Sequence, residues 1–202
     1  MADNIIKIVK YLFDPHILIF IAIFIFILGR ICFHKDYLNC GEIIKGHLAC
    51  FEGRNGKKSL VSIFLYFGVP ALIALSLVQI RVLDNDVLNL LTIIVSILTS
   101  MFFTLLTLIL DMRKRVRSDI NYKAGDAAIS SKLLKETYFS IMFEILVCIL
   151  ILILCFIELF AQEYATFSSF IIYYLTFVLL INLFMILKRV YVVIKTDLNI
   201  YK

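Results

Sequence analysis

Residues 138–160 read YFSIMFEILVCILILILCFIELF, an apolar run whose first half holds one carboxylate, Glu144. A helix needs about 20 mostly apolar residues to cross the hydrocarbon core of a bilayer, and this run is long enough. The chain around it has the same character. Of its 202 residues 62% are hydrophobic and 17% charged, with a mean hydropathy of +1.00, which is more apolar material than one soluble core of this length hides. The composition predicts an all-α fold, a polytopic helical integral membrane protein in contact with the lipid bilayer.

Outward from that run, four more qualify by length: 15–33, 60–80, 87–110 and 164–187. Asp14-Pro15 opens the first with a capping side chain and a proline suited to the first helical position. Arg30 lies close enough to its end to snorkel. Gly68 and Pro70 predict a kink in the second, and the last stops at Lys188-Arg189. No small-residue cleavage site follows the first run, so 1–33 reads as a tail and a retained anchor. That segment also reads as an interfacial helix, with Ile5, Val9, Leu12 and Phe13 toward lipid and Lys7 and Lys10 toward water. The expectation is therefore four to five transmembrane helices.

Orientation follows from the basic residues, which are costly to move across a membrane. The connection 34–59 carries Lys35, Lys45, Arg54, Lys57 and Lys58. The connection 111–137 carries Arg113, Lys114, Arg115, Arg117, Lys123, Lys132 and Lys135, and the tail 188–202 adds Lys188, Arg189, Lys195 and Lys202. These segments are predicted inside. The short links 81–86 and 161–163 hold only Arg81 and are predicted outside. Two in-out-in hairpins result, 60–110 and 138–187, with a cytoplasmic C-terminus. Residues 51–59, FEGRNGKKS, resemble the end of a phosphate-binding loop but fail on spacing: Phe51 holds the place of the first glycine and Lys58 that of the hydroxyl residue. The stretch reads instead as a turn whose Lys57-Lys58 fixes the cytoplasmic entrance to the second span.

Two polar stripes cross the predicted spans. Asn89, Thr92, Ser96, Ser100, Thr104 and Thr107, with Asp111 beyond them, recur every three or four residues and so share one helical face. Such a face packs against another helix, because Ser and Thr permit close approach, or it lines a watery path; packing is the preferred reading. Ser140, Glu144, Cys148 and Cys155 make the second stripe. Glu144 either faces the bundle interior, where it can sense pH, potential or packing, or bends back to pair with Lys132 or Lys135.

Other chemistry is less well supported. His34, Cys40, His47 and Cys50 offer two imidazoles and two thiols for a tetrahedral metal, but only His47 and Cys50 stand close together, so no metal is expected. No Ser/His/Asp set, paired carboxylates or glycine-rich cradle suggests an enzyme, and no cofactor is expected. The five cysteines are odd in number and lack a disulfide-framework spacing. Arg113, Lys114, Arg115 and Arg117 read as an inside flank that can meet lipid or a protein partner; no direct nucleic-acid binding is expected.

From the third span onward, the order of an apolar span, DMRKRVRS, a short polar stretch and SSKLLKETYFSIMFEILVCILIL resembles small multi-span membrane proteins of bacterial anti-phage defence systems, of the Kiwa membrane-subunit type. The likeness covers about 87–160 and contains no catalytic motif. It implies a bacterial inner (plasma) membrane protein that forms homo-oligomers, senses envelope disturbance during infection and acts through a soluble cytoplasmic protein, or else permeabilises the membrane. The function expected is a non-enzymatic subunit of that kind, with an oligomeric ion channel or pore as the alternative.

Overall fold

The computed structural model describes residues 40–51, 60–118, 124–160 and 164–200, all helices and their connections, with no strand among them. The helices are α1, Gly41–Ala49; α2, Leu60–Ile80; α3, Asn85–Ser118; α4, Ala124–Glu158; and α5, Thr166–Ile200. The predicted first span, 15–33, and most of FEGRNGKKS lie outside the described residues. The stretches long and apolar enough to cross a membrane are Ile63–Ile80, Asn85–Arg115, Ser131–Glu158 and Thr166–Lys195. The protein is thus a polytopic α-helical membrane protein.

Three helices outrun their apolar stretches. α4 begins at Ala124, well before Tyr138, because AGDAAISSKLLKET is built mostly of residues that tolerate helix and contains no proline. α3 and α5 likewise continue through the basic segments that follow their spans. α2 remains one helix through Gly68 and Pro70, although the proline removes the bond that the Tyr66 carbonyl would accept from position 70.

The interior is organised in heptads. On α3 the buried residues are Leu88, Val95, Phe102 and Ile109; the buried residues of α4 include the heptad Leu134, Ile141, Cys148 and Cys155, and those of α5 include Ile172, Leu179, Ile186 and Val193. A seven-residue repeat keeps one seam facing a neighbour at a shallow crossing angle, as in left-handed helix packing. α2 uses a four-residue ridge instead, with Tyr66, Pro70, Ala74 and Val78 all buried. The close contacts run α3 to α4, α4 to α5 and α5 to α2, so the helices follow the order α2, α5, α4, α3. Chain neighbours α2 and α3 therefore lie at opposite ends of this series, each with one packed side. Burial agrees: 44% and 33% of the apolar windows of α4 and α5 are buried inside the molecule, against 22% and 17% for α2 and α3. The open faces carry Phe64, Leu72, Ile97, Phe156 and Phe184, as lipid contact requires.

The link between α2 and α3 is short and held. Asp84 caps α3 by accepting the Val87 N–H at 2.9 Å and pairs with Arg81. Those donors, the Val87 N–H first, hold its carboxyl below the usual range despite an opposing contribution from burial. The Leu83 N–H reaches Ser169 Oγ at 3.2 Å, and Tyr173 donates to the Arg81 carbonyl at 3.3 Å. The start of α5 thus fastens the turn that joins its neighbour to the far helix.

Candidate functional site: a buried polar cluster beneath α1

α1 does not cross the bilayer; it lies against the end of the bundle that carries the basic segments. Its approach depends on Gly46. A Cβ there would stand 2.3 Å from the Phe139 ring of α4, a separation that no packed side chain tolerates. With the glycine in place, the next residue, His47, is wholly buried. Its imidazole stacks on Phe143 with centroids 4.1 Å apart and planes 3° from parallel, meets Phe51 edge-on at 5.4 Å, and stands 5.8 Å from Tyr66 of α2. Burial first, and the positive charge of Arg189 second, push its pKa from 6.5 down to about 4. The ring is therefore neutral at ordinary pH.

The end of α1 is tied to the same helices. Arg189 of α5 donates to the Cys50 carbonyl at 3.4 Å and to Ser140 Oγ of α4 at 3.1 Å, while Glu136 lies 3.9 Å away. A cation at a helix C-terminus satisfies carbonyls left over from the last turn. The Cys50 thiol bonds the Gly46 carbonyl at 3.3 Å and the Glu136 carbonyl at 3.6 Å. One guanidinium thus joins α1, α4 and α5.

Next to Phe143 on α4 is Glu144, wholly buried, with neither oxygen hydrogen-bonded among the described residues. The Tyr66 hydroxyl is likewise buried and without a partner among the described residues, as are both His47 nitrogens. Asn182 of α5 is wholly buried too, with its amide unpartnered, two turns before Arg189 on the same seam. Lys132 and Lys135 are exposed, so the bent-back pairing of Glu144 does not form. Its carboxyl faces the bundle interior.

The remaining predicted residues divide by face. Ser140, Glu144, Cys148 and Cys155 are all buried and point inward. The other stripe points outward. Asn89, Ser96, Ser100, Thr104 and Thr107 are exposed, turned from about a quarter to nearly half a turn of helix away from the Leu88 to Ile109 seam. The hydroxyls of this stripe bond carbonyls of their own helix, from Thr92 to Leu88 at 2.8 Å through to Thr107 to Thr104 at 2.7 Å. Among the described residues no helix packs on the exposed part of the stripe. Arg113, Lys114 and Arg115 are exposed on the extension of α3, where Lys114 pairs with Asp111 at 3.8 Å, and Arg117 follows in the last turn. No three metal-ligating side chains gather among the described residues, and His34 lies outside them.

Sequence reasoning passed over Asn182, Tyr66 and Arg189. Asn182 carried the clearest signal, an amide inside an apolar span, which marks a buried contact by default. Arg189 was absorbed into the basic flank. Compared with protein-family models, curated proteins and solved structures, the chain matches none.

Proposed function

We propose that this protein is a non-enzymatic membrane subunit that assembles with further copies of itself through the outer face of α3 and holds a soluble cytoplasmic protein at its basic end. The direction of the hydroxyl stripe carries this reading: from Ser96 to Thr107 it faces away from the packed seam, where none of the described residues covers it. Ser96, Ser100 and Thr104 recur at four-residue spacing, which lets two helix backbones approach closely. The extension of α3, with Arg113, Lys114, Arg115 and Arg117, offers the docking surface. The resemblance to anti-phage membrane subunits supplies the setting, disturbance of the envelope during infection.

The same stripe supports a second reading, a cation channel, in which several copies turn these faces toward a shared path. Cross-linking tests the assembly that both readings need. In a chain whose native cysteines are replaced, Ser100→Cys should form a disulfide-linked dimer in membranes, and Leu72→Cys, on the exposed side of α2, should not. Equal cross-linking at both positions, or none at Ser100→Cys, would remove the interface. Reconstituted protein that conducts in planar bilayers, and stops when Ser100→Leu fills the path, would favour the channel over the subunit.

A further inference from the structure

We propose that the space beneath α1 is a proton-binding site in which Glu144 takes up and releases one proton, with α1 as its lid: seated over the carboxylic acid and displaced from the carboxylate. The inference does not depend on the assembly proposed above.

Glu144 from α4, Tyr66 from α2 and His47 from α1 are buried polar groups that lack a partner among the described residues, as does Asn182 from α5. A network kept only for structure satisfies its members, because each unpaired group gives up its hydration for nothing. The two charge states of the acid make different demands on this space. A neutral carboxyl has one hydrogen to donate, and a neutral imidazole nitrogen or a phenol oxygen is an acceptor of the right kind. A carboxylate accepts only; the Tyr66 hydroxyl and one imidazole N–H can donate to it, but its full charge in this apolar surround calls for a cation or water as well.

Among the described residues no free cation is supplied while α1 is seated. The titratable and charged groups on the elements packed around the site are His47 and Cys50 at α1, Tyr66 of α2, Glu136 and Cys148 of α4 itself, and Arg189 of α5. α3 contributes only uncharged residues over 98–109. The Arg189 guanidinium is already committed to Ser140, the Cys50 carbonyl and Glu136. Loss of the proton therefore calls for water, which comes from the basic end, where α1 lies. Its seating rests on a glycine contact, the ring contacts of His47 and Phe51, the Cys50 thiol and the Arg189 tie, all within one short helix and its end, whereas the spanning helices interlock along whole heptad seams. On release, the proton passes to that water.

Cys50 reports the lid, since its thiol bonds carbonyls of both α1 and α4 when α1 is seated. With Cys32, Cys40, Cys148 and Cys155 replaced by Ala, the rate of maleimide labelling at Cys50 is measured in proteoliposomes from about pH 6 to about pH 9, in the parent and in Glu144→Gln. Dividing the two rates cancels the thiol's own ionisation. The ratio should rise with pH, approaching about tenfold per unit, because opening releases one proton. A ratio that stays flat overturns the proposal. Gly46→Leu, which forces a side chain into the Phe139 ring, should label fast at every pH; labelling as slow as the parent's would also overturn it, because α1 would then not be a lid. One measurement needs no variant to fold. Infrared spectra of the parent near neutral pH should show the carbonyl stretch of a protonated carboxyl that fades as pH rises, and its absence would be equally fatal.

Discussion

At the scale of one residue, His47 shows what a buried imidazole does to the element that carries it. Its pKa is 6.5 in an open chain and about 4 when α1 is docked, through burial and then Arg189. The sign follows from proton counting: between those values the undocked form binds more protons, so docking weakens as pH falls. Above about 6.5 both forms are neutral and the effect vanishes. Amide exchange over 41–49 should therefore quicken as pH drops from 6.5 to about 4, relative to His47→Phe, which keeps the ring stack and has nothing to protonate. Identical pH profiles would show that His47 does not govern docking. Little of this was legible in the sequence, where His47 stood with Cys50 as a possible metal ligand. Its stacking partner Phe143 is remote in the chain and belongs to another helix, so no local spacing could announce the contact. Glu144 was legible, because a carboxylate inside an apolar run is costly wherever the fold puts it.

At the scale of elements, hydropathy and helicity measure different things. Apolar length matches a segment to the bilayer, so α2 was placed residue for residue, whereas α4 starts well above Tyr138 in polar sequence that favours helix without favouring lipid. The stripe on α3 was legible from its spacing, but its direction was not. Nearly every other position of that span is apolar, so the heptad of Leu88, Val95, Phe102 and Ile109 does not stand out from its neighbours. Two adjacent phenylalanines test the assignment. Phe102 is wholly buried against α4, and Phe103 is 50% exposed on the lipid side. Removing a packed aromatic ring costs about 3 kcal/mol in soluble cores, and its packing share persists in a membrane because lipid does not fill the cavity. Phe102→Ala should lower stability to detergent titration clearly, and Phe103→Ala should change it little. Equal losses would mean that the seam has been assigned to the wrong face.

At the scale of the whole molecule, the series α2, α5, α4, α3 separates helices that the chain joins by four residues, an outcome that positive-inside reasoning does not address because it fixes sides and not neighbours. The structure does put unlike chemistry at the two ends. One end carries Arg81, Asp84, Asp86 and Glu158; the other carries α1, the extensions of α3 and α5, and the residues from Arg113 to Arg115, Lys132, Lys135, Lys188 and Lys195. Moving the second set across a bilayer costs far more than moving the first, so the basic end should face the cytoplasm. Two exposed positions decide it. In intact cells with the native cysteines replaced, an impermeant maleimide should label Ala165→Cys, beside the start of α5, and should spare Lys114→Cys until the membrane is permeabilised. The opposite pattern would place α1 and its buried acid on the outer side. The lid over Glu144 would then answer to the pH outside the cell, and the basic extension of α3 could not meet a cytoplasmic protein.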